Sequence, residues 1–211
     1  QAILSSDEQA RAARFHFDKD RNHYIVARGV LRTLLGSYLK SEPRSLQFSY
    51  NSYGKPALNS ATHDAHVRFN LAHSHGLALY AFTRGREVGI DVEYMKTDID
   101  PLALARHSFS PAEQAALRSL PTEDRLQGFY NGWTRKEAYI KARGIGISLG
   151  LDRFDVELKP GQPAALLHSR EDPREPECWT LIELDPGEGY AGALAVEGHG
   201  WSLDCFHWQN G

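Results

Sequence analysis

The stretch Arg84-Gly85-Arg86-Glu87-Val88-Gly89-Ile90-Asp91-Val92-Glu93 decides how this chain reads. Gly85 marks a turn, and strand-like segments flank it, Leu77 to Phe82 before and Glu87 to Val92 after, so the sequence predicts a hairpin. Upstream, Val67 to Leu71 reads as another strand, with His73-Ser74-His75-Gly76 as a loop. Leu46, Phe48 and Tyr50 alternate as one more, and Gly54 and Pro56 mark a turn after it. Ahead of these strands the period is helical. Ser5 with Glu8 fits a capping box that opens a helix reaching about Phe17. A longer helix is predicted from about Asp20 to Tyr38, because Tyr24, Ala27, Val30, Leu31, Leu34, Leu35 and Tyr38 recur at three and four residues; Pro43 ends any continuation. Downstream of Glu93 the order starts over. Ser110-Pro111-Ala112-Glu113 is a helix start, Thr122 caps a long helix to about Arg143, and Gly144 stops it. Strand-like segments follow at Phe154–Leu158, Trp179–Leu184, Gly189–Val196 and Trp201–Trp208.

Helix, long helix and several strands thus occur twice. The expected fold is α+β, with two similar α+β halves related by a pseudo-twofold, each a long helix on a small antiparallel-rich sheet. The halves are residues 1–95 and 96–211, joined near 94–100. Neither shows the regular βα alternation of a Rossmann sheet or a glycine-rich nucleotide fingerprint. The chain has 211 residues, 24 Lys+Arg against 27 Asp+Glu, and 41% hydrophobic residues, enough for a buried core. A net charge of −3 speaks against a nucleic-acid binder. No apolar run is long enough for a membrane span, and the first 20 residues are no secretory signal. Two cysteines, Cys178 and Cys205, make no disulfide framework and are expected to be buried thiols in a reducing cytoplasm. The chain opens on Gln rather than Met, which suggests a truncated N-terminus.

Asp91 and Glu93 fall two apart, so a strand puts both on one face while Ile90 and Val92 point into the core. Two carboxylates side by side repel unless a cation is near, and a hard ion such as Mg²⁺ removes that cost; a strand end reaching solvent tolerates the pair without a metal. The run Trp133-Thr134-Arg135-Lys136-Glu137-Ala138-Tyr139-Ile140-Lys141 puts Trp133, Glu137 and Lys141 on one helical stripe with Lys136 beside it. Glu137 and Lys141 could be an ordinary surface pair, but the tryptophan argues for a partly buried face. His73 and His75 have His-x-His spacing, with nothing to complete a zinc set; they are surface histidines or phosphate contacts. Lys55 follows Gly54 on a turn and is either an exposed lysine or a ligand contact. Together, Asp91, Glu93 and Glu137 could hold one Mg²⁺, while Lys55, Lys136, Lys141 and Arg11 could hold phosphates. That recipe suits phosphoryl transfer at a pyrophosphate, and residue chemistry alone leaves hydrolase, nuclease and transferase open.

The same residues resemble a known family. Gly89-Ile90-Asp91-Val92-Glu93, then Trp133-Thr134-Arg135-Lys136-Glu137-Ala138 with Lys141, is similar to the paired signature of 4′-phosphopantetheinyl transferases. Phe69-Asn70-Leu71-Ala72-His73-Ser74 resembles that family's Phe-Asn-(Ile/Leu)-Ser-His-Ser motif, and Gly54-Lys55-Pro56 its Gly-Lys-Pro turn. The length resembles the Sfp-type class, monomers of two similar halves. The resemblance implies transfer of 4′-phosphopantetheine from coenzyme A, lying in a cleft between the halves, to a serine of an apo acyl or peptidyl carrier protein, with release of adenosine 3′,5′-bisphosphate. It implies Mg²⁺ (or Mn²⁺) on Asp91, Glu93 and Glu137, Glu137 as base for the serine directly or through water, and Lys141 on the leaving phosphate. Lys55, His73 and Arg11 match positions at the nucleotide; Gly54, Pro56 and Ser74 fall in the same motifs, and Lys136 is placed at a phosphate. Ala72 replaces the motif serine, and Arg11 is placed only by its spacing to the long helix. The alternative is a Mg²⁺-dependent phosphodiesterase or nuclease using the same acids; a non-enzymatic nucleotide-binding or carrier-docking module would not need three convergent acids.

Overall fold

The computed structural model describes residues 3–64 and 66–208. Helix α1 (Ser6–Ala12) opens on the capping box read from the sequence, with Ser5 N donating to Glu8 Oε2 at 3.1 Å. It ends five residues earlier than expected. Helix α2 (Asp18–Leu39) starts at once and stops where Lys40 turns left-handed, φ 50°. Its buried stripe is Ala27, Leu31 and Leu35, joined by two charged residues, Arg28 and Arg32. Tyr38, expected on the stripe, is exposed. Both arginines are held by the buried Glu8 carboxylate, Arg28 Nε at 2.9 Å and Arg32 Nε at 2.6 Å, so α1 is fastened to α2 through a shared anion.

A short hairpin follows, β1 (Phe48–Tyr50) and β2 (Pro56–Leu58), the second of which the turn residues concealed. Strands β3 (Val67–Ser74) and β4 (Leu77–Arg84) pair antiparallel along their whole length. The expected loop at residues 73–76 shrinks to the two-residue turn His75-Gly76, with His75 at φ 45° and Gly76 at φ 90°; two consecutive positive φ values suit a tight hairpin turn. Strand β5 (Val88–Tyr94) does not close a sheet of the first half. It pairs in register with β9 (Tyr190–Glu197), which also pairs with β8 (Trp179–Leu184), giving the antiparallel order β5-β9-β8.

Between them lie α3 (Pro101–Ser108), α4 (Pro111–Ser119), α5 (Arg125–Arg143), the pair β6 (Phe154–Val156) and β7 (Leu166–Ser169), and the short α6 (Glu175–Cys178). Helix α3 was missed from sequence, although Asp100 caps Leu102 N and Ala103 N and Pro101 takes the first helical position. The Ser110–Glu113 capping box opens α4 as expected. Gly144 ends α5 at φ 65°, and a short 3₁₀ turn at Thr122–Asp124 replaces the expected α-helical cap at Thr122. Residues 201–208 form no strand, although the Trp201 ring packs against the core around Ala72 and Val92. Cys178 and Cys205 are exposed, not buried. The architecture is mixed α and β with small antiparallel sheets.

Helix α5 lies directly on β5 and β9. Gly89 lets this happen: a Cβ there would fall 2.1 Å from Ala138 O and 2.3 Å from Ala142 N of the helix backbone. On its other edge β5 is joined to β3 by side chains. Asn70 Oδ1 accepts from Ile90 N at 2.8 Å, and Ser74 Oγ accepts from Tyr94 N at 3.1 Å. Asn70, Ala72 and Ser74 share one face of β3, and Ala72 adds its methyl to the core of Val88, Ile90 and Val92.

Candidate active site

The close approach at Gly89 fixes what lies two residues further on. Asp91, 3% exposed, receives a hydrogen bond from Lys141 Nζ of α5 to Oδ1 at 2.6 Å. Burial pushes the Asp91 carboxyl up to about 6 despite the opposing pull of Lys141, and Glu93 and Glu137 push it further in the same direction. Burial also raises Glu137, opposed by Lys141 and reinforced by Glu93. Asp91, Glu93, Glu137 and Lys141 therefore share one electrostatic neighbourhood. Glu93 is steadied by Ser74, whose Oγ donates to Glu93 Oε2 at 3.0 Å. Ser74, the last residue of the Phe69–Ser74 motif, thus orients an acid.

Asp91 Oδ2 is buried and has no hydrogen-bond partner. A buried anionic oxygen left in this state is costly, and a cation beside it removes the cost. Among the described residues no three His, Cys, Asp or Glu side chains form a ready-made metal cluster. Mg²⁺ does not need one, since it is usually held by one or two carboxylates, waters and substrate phosphates. The residues therefore fit an ion held by Asp91 with Glu93 or Glu137 and completed by a phosphate ligand.

A second group gathers around α2. Two adjoining grooves of about 620 and 360 Å³ share Arg11, Phe15, Tyr24 and Tyr50, and the second is also lined by Gly54, Pro56 and His73. Strand alternation explains the division of the Phe69–Ser74 motif: Leu71 and His73 face the groove, while Asn70 and Ser74 face β5. Arg11 lies over the Tyr24 ring at 5.6 Å. The Tyr24 hydroxyl is buried without a hydrogen-bond partner. The groove tyrosines and Phe15 were not singled out from sequence; a helical tyrosine reads as core, and only burial of its hydroxyl without a partner marks it out.

Two expected phosphate ligands are used otherwise. Lys136 is fully buried, paired with Glu113 at 2.8 Å, and donates to Leu151 O at 2.7 Å and Phe154 O at 2.5 Å. It faces away from the acids and ties α5 to α4 and β6. Lys55 turns away from the groove and donates to Ala142 O at 2.8 Å and to Glu87 Oε2 at 3.1 Å.

Residues 87–195 match the sequence profile of the 4′-phosphopantetheinyl transferase superfamily, and residues 1–83 that of the 4′-phosphopantetheinyl transferase N-terminal region. The chain belongs to the 4′-phosphopantetheinyl transferase superfamily. It is 42% identical over 207 residues to the 4′-phosphopantetheinyl transferase HetI of Nostoc sp. strain PCC 7120, covering 98% of this chain and 84% of the relative. It is 40% identical over 153 residues to a putative 4′-phosphopantetheinyl transferase of Synechocystis sp. strain PCC 6803, covering 72% of this chain and 62% of that one. Over 188 residues it is 30% identical to the transferase Sfp of Bacillus subtilis strain 168, covering 88% and 80% respectively. The enzyme is thus a phosphopantetheinyl transferase of the Sfp type, and the comparisons give the nuclease or phosphodiesterase alternative no support. No helix among the described residues is long and apolar enough to cross a membrane.

Proposed function

We propose that this transferase moves 4′-phosphopantetheine from coenzyme A to a serine hydroxyl of an apo acyl or peptidyl carrier protein, in a Mg²⁺-dependent reaction that releases adenosine 3′,5′-bisphosphate. The observation that carries the reading is the convergence of Asp91, Glu93 and Glu137 with Lys141 across the β5–α5 contact; the α2 groove, about 360 Å³ and lined by residues other than these four, offers room for the nucleotide. Mg²⁺ bound at Asp91 would neutralise the pyrophosphate charge. Arg11 and His73 supply cationic or hydrogen-bonding contacts to the nucleotide phosphates, with Gly54 and Pro56 shaping the groove wall. Lys141, one helical turn beyond Glu137, can turn from Asp91 towards the phosphate leaving in the reaction and stabilise its growing charge. Glu137 takes the serine proton, directly or through one water; burial raises its pKa, which brings a carboxylate closer to the strength a base needs near neutral pH. The enzyme is read as a cytoplasmic monomer, the two free thiols suiting a reducing compartment.

Incubation with coenzyme A, Mg²⁺ and an apo carrier protein should add the mass of phosphopantetheine to the carrier. Glu137→Gln keeps the shape and one ligand oxygen but accepts no proton at neutral pH, so turnover should fall roughly 100-fold or more with coenzyme A affinity retained. No mass gain with wild type refutes the transfer reading; near-wild-type turnover of the variant refutes the base assignment alone.

A further inference from the structure

The turn Asn51-Ser52-Tyr53-Gly54-Lys55 joins β1 to β2 and sits on the C-terminal end of α5, the helix that carries Glu137 and Lys141. Its shape is internally fixed. Asn51 Oδ1 accepts from Tyr53 N and Lys55 N, each at 2.9 Å, and Gly54 N closes back on Asn51 O at 3.0 Å. Two side chains then reach from it to carbonyls that the ending helix leaves without intrahelical donors. Lys55 Nζ donates to Ala142 O at 2.8 Å, and Asn51 Nδ2 donates to Gly144 O at 2.6 Å. The same ammonium donates to Glu87 Oε2 at 3.1 Å and Val88 O at 3.3 Å, at the start of β5. All three of its N–H bonds are therefore spent on protein. The fit is tight: a Cβ on Gly144 would lie 3.1 Å from Lys55 Cδ and 3.2 Å from Asn51 Nδ2.

We propose that Lys55 and Asn51 are positioning residues: a clamp from the β1–β2 turn that caps the end of α5 and locks it to the start of β5. The proposal rests on the transferase reading above. The two elements the clamp joins are those whose approach sets Asp91 against Lys141. A cation at a helix C-terminus also meets the negative end of the helix dipole, so Lys55 has an electrostatic as well as a geometric hold. On the other side of the same turn, Gly54 and Pro56 line the α2 groove. The turn thus touches both the groove and the end of the helix that carries Glu137 and Lys141.

This assignment differs from a direct phosphate contact by Lys55 in what its loss would do. The test compares wild type with Lys55→Met, Lys55→Arg, Asn51→Ala and the double variant Lys55→Met/Asn51→Ala, each assayed well below its melting temperature. Wild type must first modify the apo carrier; if it does not, the transferase reading fails and the clamp is judged by hydrogen exchange alone. The clamp predicts that Lys55→Met and Asn51→Ala each lower kcat roughly tenfold or more, while coenzyme A affinity by calorimetry stays within about twofold. The double variant should lose less than the product of the two single losses, since both act on one helix end. Lys55→Arg should recover much of kcat. Independently of activity, amide exchange at residues 142–146 should accelerate in both single variants. A fall in coenzyme A affinity confined to the Lys55 variants, with Asn51→Ala at wild-type turnover, overturns the proposal in favour of a direct ligand. Unchanged kcat with only a lowered melting temperature overturns it in favour of a purely structural role, and unaltered exchange at 142–146 overturns it outright.

Discussion

Gly89→Ala tests the contact on which the site depends. The added Cβ would lie 2.1 Å from Ala138 O, 2.3 Å from Ala142 N and 2.9 Å from Ala142 Cα, all of them helix backbone that no rotamer change can move. Heavy atoms pack at roughly 3.5–4.0 Å, so β5 must withdraw from α5 by about 1 Å or more. Overpacking of this kind costs about 1–3 kcal/mol, which for a chain of this size lowers Tm by roughly 2–12 °C. The withdrawal also opens the 2.6 Å contact between Asp91 and Lys141, and a misplacement near 1 Å can cost on the order of a hundredfold in rate. The control is Gly29→Ala in α2, where the new Cβ meets the Ile3 side chain at ordinary contact distance, Cδ1 at 3.6 Å and Cγ1 at 4.0 Å; it should raise stability by about 0.5–1 kcal/mol through helix propensity and leave turnover alone. Thermal melts and carrier-modification rates of both variants decide the matter. Gly89→Ala with wild-type Tm and wild-type turnover would refute the claim that backbone contact sets the site.

Asp91→Asn should separate stability from activity. Burial lifts Asp91 from 3.8 to about 6, so the folded state holds its proton more tightly than the unfolded chain, and stability present below about pH 4 is lost as pH rises through 6. The variant should therefore gain on the order of 3 kcal/mol over wild type well above pH 6, less whatever Lys141 forfeits, with little gain at pH 4; denaturant titrations at pH 4 and pH 8 check it, and a flat difference would count against the buried-charge account. Lys136→Met strands Glu113 as an unpaired buried anion and should cost about 3–5 kcal/mol with coenzyme A affinity preserved in the folded protein; weakened affinity without destabilisation would return Lys136 to the phosphates. Excess chelator should abolish turnover, and Mg²⁺ or Mn²⁺ should restore it; full activity in chelator would remove the metal from the reaction.

Much of this was legible because local rules and tertiary packing agree. The Ser110–Glu113 capping box, the Gly144 stop and the alternation of β5 have local causes that the fold leaves in place. Where the reading failed, a distant partner decided. Pro56–Leu58 pairs with β1 although proline punctuates the sequence, and Tyr50 reads as a strand residue although it walls a groove with Tyr24. The run Arg135-Lys136-Glu137 shows the difficulty in three residues. Successive helical positions are turned by about 100°, so these side chains leave α5 in three directions. Arg135 meets Glu183 and Glu157 O, Lys136 meets Glu113, and Glu137 alone is turned to Lys141 and Glu93. The sequence shows three charges in a row. Which of them faces a ligand depends on what packs against each face of the helix, and Glu113, 23 positions upstream, has no local signature as the partner of Lys136 beyond its role as a cap.

The charge balance of the site explains why its residues need a substrate-borne partner. Among the described residues, Lys141 is the ammonium that opposes the charge of Asp91 and Glu137, while Lys55 and Lys136 are bonded to other partners. A pyrophosphate brought to three carboxylates and one lysine would meet net repulsion, sharpened by the burial that already raises Asp91 and Glu137. A hard divalent ion reverses that sign, and the buried, unpartnered Asp91 Oδ2 is where the protein can contribute to holding one. On the proposed reading, an ion held by Asp91 with Glu93 or Glu137 would supply the charge that Lys141 now gives to Asp91, and Lys141 would be available to the leaving phosphate. Glu137, raised by burial, would then be the carboxylate left to accept the proton of an incoming hydroxyl, as the proposed base assignment requires.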